Sequence, residues 1–157
     1  FAAPPTLRPP SARTALADLR IADHLFRDVS QEIERHRLLG VSVEVGPPRY
    51  LGVSVVARVE VQPGRDAELT RQRALEVLYR DLDPVTGGPD GKGWPWDRPL
   101  TVPHVYALLS AVDGVSRVLD VLLFEADETT GERAPQGLQF LPLEPDALWF
   151  PVRHMVL

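Results

Sequence analysis

Four glycines and a lysine stand close together at Gly87, Gly88, Gly91, Lys92 and Gly93, within the segment TGGPDGKGWPWDRP (Thr86–Pro99). Glycine-rich backbone beside a lysine is how a phosphate cradle is built, with amides closing on the anion and a cation behind them. The Walker spacing fails here. Lys92 is followed by Gly93 where Ser or Thr is required, and Thr86 stands where the first glycine is needed. The segment also follows a helix-type pattern, whereas the cradle follows a strand. Four glycines and three prolines therefore read as a structural loop with defined turns.

Other chemistry-bearing types are equally dispersed. Asp83, Asp90 and Asp97 are seven residues apart, too widely spaced for a calcium loop, which packs its acids at alternate positions before a glycine and adds a distal Glu. Asp83 before Pro84 and Asp90 before Gly91 are ordinary turn residues. His24, His36, His104 and His154 include no i,i+3 or i,i+4 pair and no HExxH; the first two, twelve apart on one helix, diverge by about a third of a turn. They read as exposed or capping side chains. No G-x-S-x-G supplies a nucleophile elbow, and Asp127/Glu128 lie in a turn, where carboxylates stay solvated. No catalytic residue, cofactor ligand or metal ligand is assigned. Tryptophan is more informative. Trp94 and Trp96 flank Pro95 in the loop, before Asp97-Arg98, and Trp149 precedes Phe150. Each is either an apolar anchor for the core or a protein–protein contact, in which Trp and Arg are enriched. A loop this long in a small domain is more often functional than idle.

The elements that must position these residues are readable from periodicity. Pro4, Pro5, Pro9 and Pro10 make residues 1–13 an extended arm or linker. A first helix, within 14–39, carries Leu19, Ala22, Leu25, Phe26, Val29 and Ile33 on one side, with Arg35, His36 and Arg37 suiting its negative end before Gly40. The period then drops to two, in Val41, Val43, Val45 and again in Val53, Val55, Ala57, Val59, Val61: two strands, separated by Pro47-Pro48. A second helix starts at an Asp66 cap and runs through Leu82 to the Asp83-Pro84 break; a third runs from a Thr101 cap to Gly114. Val115–Glu125 is a strand with blurred alternation, expected to be central and buried on both faces. Residues 127–133 form a polar connection, and short strands near 136–143 and 148–156 complete the count. The expected architecture is a single α+β domain over 14–157, two-layered, with a mixed, mostly antiparallel sheet (41–157) and helices on one face.

Composition bounds the function. The 157 residues are one domain's worth, 44% hydrophobic and 25% charged, which is globular and not disordered. Absence of cysteine excludes disulfides, thiolate metal sites and cysteine nucleophiles. A net charge of −5 argues against a nucleic-acid partner, and no apolar run reaches the ~20 residues of a membrane helix. Lys92 is the only lysine among scattered arginines, a pattern that reflects a GC-rich coding sequence and not a phosphate footprint. Residues 1–13 have no apolar stretch of signal-peptide type. A chain opening on Phe1 is expected to be a processed product or a portion of a longer protein, which the arm would join to something upstream.

Several stretches together resemble the C-terminal part of baseplate J-like proteins of contractile phage tails and injection systems. They are Arg37–Gly40 (RLLG), Tyr50–Gly64 (YLGVSVVARVEVQPG), Leu78–Arg98 (LYRDLDPVTGGPDGKGWPWDR), Val105–Val118 (VYALLSAVDGVSRV) and Leu141–Phe150 (LPLEPDALWF) with His154, spanning most of 21–157. The P-x-TGGPDGxGWPxxR loop is the specific part and is similar to the baseplate assembly proteins of actinobacteria and injection systems. The resemblance implies structural work without enzymatic residues or cofactors. It implies a wedge subunit that joins related wedge subunits, and spike, tube or sheath components, in a hetero-oligomeric ring, without nucleic acid or membrane. Assembly would be cytoplasmic, the product a phage tail or tail-like particle. Family members are typically several times longer. Candidate contact residues are Trp94, Trp96 and Arg98 in the loop, with Trp149 and Tyr50. The competing class is a small-ligand-binding regulatory α+β domain, with a pocket framed by Gly64–Asp66 or Gly114.

Overall fold

Alternating valines make the second predicted strand the centre of the molecule. In a computed structural model, which describes residues 15–38 and 40–157, this run lies in β1 (Arg49–Val61), with Val53, Val55 and Ala57 fully buried. The elements in chain order are a 3-10 turn (Leu16–Leu19), α1 (Asp23–His36), β1, α2 (Ala67–Asp81), β2 (Leu100–Thr101), α3 (Val102–Ser110), β3 (Val115–Ala126), β4 (Phe140–Leu141), β5 (Ala147–Pro151) and β6 (Met155–Val156). The predicted arm, residues 1–13, lies outside the described residues.

The sheet is mixed, as expected. β3 runs antiparallel along one side of β1, from Gly52↔Ala126 to Val61↔Val115. β5 and then β6 run parallel along the other, at Tyr50↔Leu148 and Val56↔Met155. β2 and β4 form a separate antiparallel ribbon. The helices are set where their caps predict. Asp66 Oδ1 accepts from Leu69 N at 2.9 Å at the start of α2, and Thr101 Oγ1 accepts from His104 N at 3.4 Å at the start of α3. Ala74, Leu75 and Leu78 of α2 and Val105 and Leu109 of α3 join the buried valines of β1 in one apolar cluster, each such large side chain contributing about 1.5–3 kcal/mol. No helix among the described residues is long and apolar enough to cross a membrane.

Four expectations are corrected. Val41–Val45 pairs with no strand among the described residues, although it alternates: both sides of β1 are already filled by β3 and by β5 and β6. β3 is not buried on both faces. Its burial follows Val115, Val118, Val121 and Leu123, because Ser116 and Leu119 are extra residues opposite register shifts at Glu60/Val61 and Arg58/Val59. The blurred alternation is the mark of two bulges, which turn a side chain to the wrong face. The first helix is shorter than 14–39, since Ala22 is extended (φ −65°, ψ 137°), and none of its residues is buried. The last strands are fragments: β4 has two residues, and residues 148–156 split into β5 and β6 at Arg153, whose φ is 42°.

Candidate functional site

The glycine–tryptophan loop is folded by its own backbone. Asp83 Oδ1 accepts from Val85 N at 2.9 Å and Thr86 N at 2.8 Å, a side-chain turn that brings the chain back over the end of α2. There Gly87 N donates to Asp83 O at 3.0 Å, Gly88 N to Asp81 O at 2.7 Å and Gly93 N to Gly87 O at 3.0 Å. A Cβ on Gly87 would lie 2.4 Å from Asp81 O, and one on Gly93 would lie 2.4 Å from Pro84 O at a φ of +95°. Close backbone approach is therefore why glycine stands there. These three amides close on the loop's own carbonyls, which leaves them unavailable to a phosphate and agrees with the failed Walker spacing.

Trp94 locks the loop down. Only 2% exposed, it donates from Nε1 to Arg98 O at 2.8 Å and meets His104 edge-on. The Arg98 guanidinium carbon lies 5.6 Å from its ring centroid, a cation–π contact. His104 Nε2 lies 2.7 Å from Asp81 Oδ2, so the last residue of α2 is tied directly to the first turn of α3, with Trp94 packed against the same imidazole. Two positions on, Trp96 is 55% exposed, beside the exposed Asp97 and Arg98, and Asp97 holds a left-handed φ of 59°.

The five candidate contact residues therefore divide. Trp96 and Arg98 are on the surface. Trp94 and Trp149 are buried within the chain's own core and are corrected to anchors; Trp149 Nε1 has no hydrogen-bond partner among the described residues. Tyr50 is half-buried in β1, its hydroxyl donating to Leu19 O at 3.5 Å and its ring edge-on to Phe150, and burial pushes its phenol pKa up. Trp94, Trp96 and Arg98 share the loop, whereas Tyr50 and Trp149 belong to the β1–β5 ladder.

Sequence reasoning missed two histidines. His104 is the partner of Asp81 and Trp94 just described. His154, read as an exposed or capping side chain, is buried: its Nδ1 accepts from Val55 N at 3.0 Å, its ring lies 4.5 Å from that of Tyr79, and its amide donates to the Tyr79 hydroxyl at 2.9 Å. The apolar neighbours Val152, Met155 and Val156 were the available signal. Among the described residues, no three His, Asp or Glu side chains converge as a metal site would require. A second surface feature is α1, which turns Leu25 and Val29 to solvent, together with Ile21 just before it. No family model matches the chain, and no curated protein matches it.

Proposed function

We propose that this chain is a structural component of the baseplate wedge of a contractile tail or injection particle, held to related subunits through a surface that includes Trp96 and Arg98. The observation that carries the reading is the contrast inside one loop. The turn after α2 is pinned by the Asp83 side chain and by backbone hydrogen bonds, and Trp94 is buried, while Trp96 is held out in solvent. A large aromatic presented on a rigid support loses little conformational freedom on binding, which is what an interface anchor needs. The motif resemblance supplies the kind of partner, and the apolar side of α1 supplies further area toward the ~1,200–2,000 Å² that a stable interface buries.

The test is assembly. Particles produced with Trp96→Ala in this subunit should lose it from the purified baseplate while the isolated chain keeps its melting curve. Normal incorporation of the variant would refute the role of the loop. Failure of the unaltered chain to co-purify with any sheath, tube or spike component would refute the wedge reading as a whole.

A further inference from the structure

The end of the chain is fastened to the sheet through one imidazole that the proposed function does not use. His154 stands between β5 and β6, 5% exposed, and binds in two directions at once. Its ring Nδ1 accepts from the amide of Val55, at the centre of β1, and its own amide donates to the hydroxyl of Tyr79 on α2. The Tyr79 ring lies against the imidazole at a tilt of 32°. Immediately after it, β6 pairs Met155 with Val56 and Val156 with Ala57. Leu157 closes the run, donating to Ala57 O and accepting from Val59 N, each at 2.9 Å. His154 therefore clasps both α2 and the last strand to β1.

A ring nitrogen that accepts a hydrogen bond carries no proton. The clasp exists only with Nδ1 bare and the ring proton on Nε2, the neutral tautomer. Protonation puts a hydrogen on Nδ1 as well. No ring atom can then accept from Val55, and two donors face each other 3.0 Å apart in the core. The surrounding groups do not offset this. Arg153 is next in the chain, and Arg133 donates to the Arg153 carbonyl, so the turn side carries two cations. From α2, Tyr79 presents an uncharged hydroxyl. The acids on this side, Asp83 and Glu128, line a cavity with Tyr79, Phe150 and Val152, whereas the imidazole is turned to Val55. Asp83 Oδ1 already accepts from Val85 N, Thr86 N and Thr86 Oγ1. β1 brings Ser54 and Val55 to the ring and β6 brings Met155 and Val156, none of which titrates in this range.

We propose that His154 makes the last strand acid-releasable: the neutral imidazole locks β6 and α2 onto β1, and the protonated one lets go of Val55 so that β6 leaves the sheet while the rest of the core stays folded. Opening uncovers the backbone of β1 from Val55 to Val59 and the buried Val156, which turns a finished border into a bare pairing edge. The sign follows from proton uptake. The open form takes a proton that the closed form cannot accommodate, so the closed form is fully favoured above the ~6.5 of an ordinary histidine and loses ground as pH falls below it.

The experiment follows amide exchange of the whole isolated chain by NMR at pH 7.5 and 5.5, each rate divided by the intrinsic rate at that pH. Protection of Val55, Val59 and Leu157 should fall about tenfold over this interval. Protection of Leu123, bonded to Leu138 on the other side of the sheet, should not change. His154→Gln keeps an acceptor for Val55 but does not titrate, and it should abolish the fall. The ring-nitrogen shifts of His154 in the unaltered chain read the tautomer without any variant, and a neutral ring protonated on Nε2 is expected at pH 7.5. Equal protection at the two pH values, a fall shared by Leu123, a fall that persists in His154→Gln, or a ring protonated on Nδ1 at pH 7.5 would each overturn the proposal.

Discussion

The Trp94 indole meets the His104 imidazole edge-on, ring centroids 5.2 Å apart and planes at 89°. This contact joins the loop after α2 to the first turn of α3, and it divides the two loop tryptophans by role. Trp94→Ala removes a buried indole and should cost about 3–5 kcal/mol, read as a lowered denaturation midpoint. Trp96→Ala removes an exposed one and should leave stability within about 0.5 kcal/mol. Equal destabilisation by both would make Trp96 a second anchor and remove the basis for a contact role.

Gly93→Ala tests the loop backbone. The added methyl meets Pro84 O at 2.4 Å in a left-handed residue, so both clash and strain oppose it. A loss of about 2 kcal/mol or more is expected in urea unfolding. Gly64→Ala, at a similar φ of +81° but with open space around the new methyl, should lose only about 1 kcal/mol.

Acid sensitivity has an identifiable source at Asp127. Hydrogen bonds from Thr130 and Thr129 hold its carboxyl below the usual aspartate range. A carboxyl lowered in the folded state stabilises fully above its unfolded pKa, and the gain disappears as pH falls through the lowered value. Asp127→Ala should therefore be less stable than the parent near neutrality, and the difference should shrink below about pH 4. A gap that stays constant over a pH series of urea midpoints would show that the carboxylate charge is not responsible.

His154→Phe keeps an aromatic ring against Tyr79 but leaves the buried Val55 amide without its acceptor. A cost of about 1–3 kcal/mol is expected. Calorimetry decides it, since a neutral outcome would mean that the amide finds water or another acceptor.

Because no residue of α1 is buried, its amides should exchange with deuterium much faster than those of β1 in the isolated chain. Mass spectrometry of peptides covering 23–36 and 53–61 makes the comparison. Equal protection of the two would mean that α1 is covered in solution.

Local signals read well where one side of an element meets the core. Asp66 and Thr101 cap as their types require, and Val53, Val55 and Ala57 of β1 are buried at alternate positions. Where the outcome depended on competition, sequence could not decide. Val41–Val45 has strand chemistry, but residues far along the chain occupy the sides of β1. β3 reads as two-sided because its bulges mimic continuous hydrophobicity. Trp94 and Trp96 are chemically identical and separated by one proline; only the fold distinguishes an anchor from an exposed ring.

The parallel pairing of β6 with β1 joins Met155 to Val56 across most of the chain. A polypeptide emerging from the ribosome would hold β1 with one row of amides and carbonyls bare until residues 147–156 arrive. Contacts of such sequence separation close slowly, and the delay exposes an unprotected edge to neighbouring nascent chains. Truncation before Ala147 should accordingly produce aggregates in cells, because the side of β1 that β5 and β6 cover is then left open.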